Sequence, residues 1–254
     1  QFNKSMEDAK SKFKGLGDTA AANALRIETA LNNVESVGKK MSLAFTLPVA
    51  AVAALGNETV KSTDKAMSTL NSLLGGNSAK IAAVVGIADE RMKKSTFGKA
   101  ELIDASARLL NFGETIDTLP RKLQMLTDIS KGSGVELTEL VSMFDKIKAK
   151  GVVNGEVLTQ FAEKNINVVG ELAKMYGISA ENVEAKIKKM ADDGQLSFEA
   201  LSTALGRMTD EGGVYYKKGE DAVNGYSGAQ TKAMKDAKEA AASFINAVKQ
   251  IMVA

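Results

Sequence analysis

The sequence has no cysteine, no histidine and no tryptophan, and only 2 prolines in 254 residues. Each absence removes chemistry. Without Cys or His, no zinc site of the usual ligand types can form. No Ser-His-Asp triad, Cys-His dyad or imidazole base is available. No disulfide can form, so cysteine usage says nothing of redox compartment. Charge of one sign is also missing. Lys and Arg number 33 against 31 Asp and Glu, a net charge of +2, which sets up no field that would draw nucleic acid. No stretch reads as a signal peptide, and the chain begins at Gln1 rather than Met. The expectation is a piece from the interior of a longer polypeptide, or a processed one.

What is present is ordinary for a folded chain: 44% hydrophobic and 25% charged residues. At about 100–200 residues per domain, this length makes one large domain or two modest ones. Apolar residues recur at three-and-four spacing almost throughout, and alternation of period two is nearly missing. The fold class is therefore all-α: a compact multi-helix domain flanked by long helical arms. The scarcity of Pro agrees, because Pro is costly inside helices.

Residues 1–56 form the expected N-terminal arm. Phe2, Met6, Ala9, Phe13 and Leu16 step by four and three, and Ala24, Ile27, Leu31 and Val34 do the same after an offset. This narrow seam suits a long helix lying on the rest of the protein, or one that pairs with other chains. The arm ends in the only long uncharged run, Met41 to Gly56. As a helix it reaches about 24 Å, short of the ~20 residues that span a bilayer. It reads as a buried or self-associating helix, or as a segment that enters a membrane only on activation.

Residues 57–213 form the expected compact domain. Asn57 is placed as an N-cap ahead of Val60, Met67, Leu70 and Leu74. Further apolar faces run through Ile81, Val84, Val85, Ala88 and Met92; through Leu102, Ile103, Leu109 and Leu110; and through Leu137, Leu140, Val141, Phe144 and Ile147. Pro120 marks the first turn of a helix carrying Leu123, Leu126 and Ile129. Gly151, Gly170, Gly177 and Gly194 lie at or near breaks, and Ser179 and Ser197 are placed as caps. Residues 214–254 form the C-terminal arm. Its long helix begins near Tyr226, with Ala233, Ala237, Ala240, Phe244, Ala247 and Ile251 on one seam.

Several patterns invite a chemical reading, and each has a plainer one. Asp192–Asp193 and Asp210–Glu211 could pair as general acid and base, but both stand beside glycines where helices end and suit solvated turns. Glu35–Ser36 resembles the Glu-Ser pair of lytic transglycosylases, yet it lies in the heptad-like arm with no aromatic close behind. LLGGNSAK (Leu73–Lys80) lacks the phosphate-loop spacing and follows a helix, and KGSGVE (Lys131–Glu136) is a helix–helix turn. Glu171–Met190 has the outline of a helix-turn-helix. Its second helix would present Glu181 and Glu184 to a phosphate backbone, which is unfavourable. No catalytic, cofactor-binding or metal-ligating residue is assigned, and no enzyme activity is expected.

Lys146 to Leu205 carries a likeness to a known family. Lys150–Gly151 makes a turn, followed by a helix with Leu158, Gln160–Phe161 and Glu163. Next come Leu172–Ala173 with Gly177 and Ser179, then Gly194, Ser197, Leu201 and Ala204–Leu205. This order resembles the N-terminal region of phage and prophage tail tape measure proteins. FGKAELIDASARLLNFG (Phe97–Gly113), LTDISKGSGVEL (Leu126–Leu137), TDEGG (Thr209–Gly213) and VGKKMSLAFTLPVAA (Val37–Ala51) are similar to flanking parts of that family, so the likeness runs from Val37 to Gly213. The departures are Lys188–Asp193, which looks like an insertion, and Asn165–Ile166–Asn167, where the family often has Gly or Pro.

The resemblance implies a structural protein of the virus tail, acting in tail assembly and length determination and in genome delivery. It implies synthesis in the bacterial host cytoplasm and residence in the lumen or tip of the virion tail. Implied partners are tail tube and tail-tip or baseplate proteins and tail assembly chaperones, with self-association, a trimer being the expected form. Membrane contact is expected only during ejection, and no sequence-specific nucleic acid binding is expected. The competing readings are a helix-turn-helix DNA-binding module and a membrane-active delivery protein.

Overall fold

The computed structural model describes residues 49–179 and 181–253, and among them it is all-α. Eleven helices follow in order: α1 Val49–Leu73, α2 Ser78–Lys93, α3 Lys99–Asn111, α4 Leu119–Ser133, α5 Leu137–Lys150, α6 Gly155–Glu163, α7 Val168–Met175, α8 Val183–Asp192, α9 Phe198–Arg207, α10 Lys218–Asn224 and α11 Tyr226–Val253. The chain divides into two units. One is Ala66–Gly225; the other holds the described residues 49–65 and 226–253. The sequence places the boundaries at 56/57 and 213/214.

The unit Ala66–Gly225 has its centre in α3, α4 and α5. Leu102, Ile103 and Leu109 on α3, Leu123, Leu126 and Ile129 on α4, and Leu137, Leu140 and Val141 on α5 are fully buried. α2 packs against α3 and α4 through Val84 and Ala88. A second group, α6 to α9, gathers around α7, and α9 also touches α4. The Phe144 and Phe198 rings meet edge-on at 4.8 Å, tying α5 to the start of α9. α10 then comes back onto α4.

Local chemistry ends these helices where glycines stand. Gly134 and Gly151 close α4 and α5 in the left-handed conformation, at φ +81° and +74°. Asn77, Asn154, Asn167 and Ser197 cap α2, α6, α7 and α9 by accepting the N–H of Lys80, Val157, Gly170 and Ala200. Pro120 sits in the first turn of α4, as its position predicts. Two expected caps are corrected. α1 runs unbroken from Val49 through Asn57, so Asn57 caps nothing. α8 begins at Val183 behind a left-handed Asn182, so Ser179 is not its cap.

Gly56 explains why α1 does not stop there. A Cβ at Gly56 would stand 2.8 Å from the backbone of Ala241 and 2.7 Å from Ile245 Cδ1. The missing side chain thus serves a close approach of α1 to α11, inside one unit. On α11, Ala240 of the predicted seam is buried, as are Ala241 and Ala242 next to it. The N-terminal arm seam, Glu35–Ser36 and the first part of the apolar run lie outside the described residues, as do the side chains of Phe244, Ala247 and Ile251. Among the described residues no helix is long and apolar enough to cross a membrane.

Candidate functional site

The acidic pairs flagged in the sequence occupy structural positions. Asp192 Oδ1 accepts the Gly155 N–H at 2.8 Å, placing a carboxylate at the N-terminus of α6. The helix dipole favours a negative charge there. Asp193 pairs with Lys189 at 2.9 Å, one turn back on α8. Asp210 pairs with Arg121 of α4 at 2.5 Å, and the same guanidinium donates to the Gly206 carbonyl at 2.8 Å and to Thr209 Oγ1 at 3.0 Å. Arg121 thereby holds the end of α9. Asp192 and Asp210 thus tie one helix to another, while Asp193 pairs back along α8.

The glycine-rich stretches lie at helix ends, with Lys131–Ser133 still in the last turn of α4. Gly75 and Gly76 both take positive φ between α1 and α2. Gly132 packs beneath Tyr215, whose ring a Cβ there would overlap. In the helix-turn-helix candidate, α7 and α8 do pack together. The lysines of α8 are partly neutralised, Lys188 by Glu184 at 2.9 Å and Lys189 by Asp193. Among the described residues no group of three or more acidic side chains could hold a metal ion.

One concavity among the described residues has a volume of about 740 Å³. Asn167, Glu171 and Lys174 of α7 form one wall, and the loop through Asp210, Glu211 and Val214 forms the other. Its charges are mixed: Lys174 is tied to Glu171 at 3.1 Å, Asp210 to Arg121. Val214 is 64% exposed at its rim. Such a lining has no dominant sign and no poised nucleophile.

A set of buried and partly buried polar contacts elsewhere in this unit went unseen in the sequence. Lys148 Nζ donates to Glu114 Oε1 at 2.7 Å and sits 5.6 Å from the Phe198 ring centre. Lys122 donates to Ser202 Oγ and lies 5.5 Å from the Phe144 ring, and burial holds its pKa below the usual lysine value. Neither Lys122 nor Ser202 lines the concavity. Asp145 is 4% exposed, its Oδ1 has no hydrogen-bond partner, and burial pushes its pKa up to about 6 against the pull of Arg108 and Lys148. Arg91 and Asp128 form a second buried pair at 2.7 Å, with Arg91 also donating to Thr127 Oγ1. The available signal was positional. Asp128 and Asp145 stand directly beside core residues Ile129 and Phe144, where an apolar face is expected.

The residues that carry the family likeness take turn, cap and packing roles. Gly151, Gly177 and Gly194 all have positive φ; Leu158, Phe161, Leu172, Leu201 and Leu205 are fully buried; Ser197 is a cap. Asn165 takes φ +59°, so it adopts the conformation that a glycine would otherwise supply. The helix extension at Lys188–Asp193 brings Asp192 to Gly155. Compared with protein-family models, curated proteins and solved structures, the chain matches none.

Proposed function

We propose that this chain is a structural component of a phage tail, part of a tape measure protein, acting in tail assembly and length determination. The observation that carries this reading is the order and spacing of turn, cap and core residues from Lys146 to Leu205. In support, Asp192 and Asp210, two of the carboxylates singled out in the sequence, make contacts between helices. As a single helix, 254 residues would span only about 380 Å, and between Ser78 and Asn224 the chain is folded into short helices. The chain is therefore not the ruler shaft. It is the folded end-piece that docks the ruler or holds it before ejection.

In this reading the partners are tail tube and tail-tip or baseplate proteins and the assembly chaperones, and the site of action is the virion tail. The concavity between α7 and the loop after α9 is the surface that would meet such a protein. Deletion of core helices within Asn57–Gly213 is expected to block tail assembly or infection, scored by electron microscopy of particles and by plaque counts. Tails shortened in proportion to the deletion would overturn the end-piece assignment.

A further inference from the structure

The segment from Val214 to Gly225 is held to the compact unit with little apolar burial of its own. α10 buries only Gly219, which has no side chain to give to the core. By contrast α4, against which it lies, buries Leu119, Leu123, Met125, Leu126 and Ile129. Val214 is 64% exposed, and Tyr215 is the one apolar side chain of the segment that is buried. The hydrophobic term that locks the other helices is small here.

The attachment is polar and depends on two glycines. Asp128 Oδ1 accepts the Gly219 N–H at 2.8 Å and the Arg91 guanidinium at 2.7 Å. A Cβ at Gly219 would stand 2.6 Å from that same oxygen and would overlap Arg91. Further along α4, Gly132 leaves room for the Tyr215 ring, and Tyr215 donates its hydroxyl to the Asn165 carbonyl at 2.7 Å. Closing the segment seals the Arg91–Asp128 pair from water, leaving Asp128 fully buried with burial pushing its pKa upward. Burial of an ion pair costs desolvation that its attraction need not repay. Opening leaves the pair intact, since both partners belong to α2 and α4, and returns it to water.

The segment also carries its own conformational cost and its own pivots. Lys217, which precedes α10, has φ +54°, a left-handed conformation unfavourable for a residue with a Cβ. Gly212 at φ +82° stands before the segment, and Gly225 at its end has nothing within 4 Å of where a Cβ would be.

We propose that residues 214–225 are a latch that docks on and lifts off α4 as a unit while α2 to α9 stay folded. Opening exposes the Arg91–Asp128 pair and the part of α4 that the segment covers. The inference stands on packing within this unit and holds whatever the protein's role.

The test is hydrogen exchange by mass spectrometry on the full chain, in native buffer and in low denaturant. Amides of 215–224 are expected to exchange at least about tenfold faster than the central amides of α3 to α5, with a weaker denaturant dependence, as a sub-global opening requires. Gly219→Ala should accelerate exchange in 215–224 alone by about tenfold or more, and Tyr215→Phe should do so to a smaller degree. Exchange of 215–224 in step with α3 to α5 in the unaltered protein would overturn the latch. So would a Gly219→Ala chain in which the segment is unchanged, or in which the central helices loosen equally.

Discussion

Asp145 shows how one side chain sets a pH dependence. It lies on α5 among core residues, and the cations that face it already have partners. Arg108 of α3 is tied to Asp104 and Ser142, and Lys148 to Glu114. The folded-state pKa of about 6 stands above the ordinary aspartate value of 3.8. A raised carboxyl pKa means that the folded chain binds the proton more tightly than the unfolded chain. The stability from this group is full below the unfolded value and is lost as pH rises through about 6. Asp145→Asn removes the buried charge and leaves neither cation alone. It should stabilise the protein by ~1–3 kcal/mol at pH 8, with the gain fading towards pH 5, as read from thermal melts at the two pH values. An equal effect at both would show that the ionised carboxylate is not the cost.

Between helices, small devices decide the joints. The turn after α5 and the turn before α9 are clipped together by a lone antiparallel bridge. Val153 donates to the Leu196 carbonyl at 2.9 Å, and Phe198 donates to the Gly151 carbonyl at 3.2 Å. The bridge closes α6, α7 and α8 into a loop of chain whose two ends meet. Asp192 adds a second clip at the N-terminus of α6. Gly151 is the hinge of this closure: its φ is +74°, and a Cβ there would meet nothing within 4 Å. The cost of Gly151→Ala is therefore backbone strain alone, ~1–2 kcal/mol of stability by denaturant titration. A neutral substitution would mean that the turn relaxes out of the left-handed conformation without loss.

For the whole molecule, the buried cluster that runs from Ala66 to Tyr215 lies inside a single unit. Each of its elements finds its apolar partner there: α2 on α3, α5 on α3 and α4, α9 on α7 and α4. A fragment comprising residues 66–225 should fold on its own, with a helical far-UV spectrum and a cooperative melt. A fragment that is unstructured until the remaining residues are supplied would show that the cluster does not suffice.

Much of this was legible from residue order. Gly151, Gly177 and Gly194 could be read as helix ends because a left-handed turn favours glycine whatever surrounds it. Ser197 could be read as a cap because its oxygen bonds a backbone group three residues on. Gly56–Asn57 and Ser179 misled for the same local reason. A glycine that admits a neighbouring helix looks like one that stops its own. A serine ahead of an apolar face looks like a cap even where the helix starts later.

The sequence by itself determined the all-α class, the absence of imidazole and thiol chemistry, and most of the helix ends, because periodicity and capping act within a few residues. Only the tertiary structure decided which polar groups would be buried. Arg91 meets Asp128, Lys148 meets Glu114, and Arg121 meets Asp210 across separations in sequence that no local pattern encodes. It likewise decided that Gly132 and Gly219 would be seats for a returning segment. Contacts of that kind depend on which helix lies on which, and that is settled only when the apolar faces are packed together.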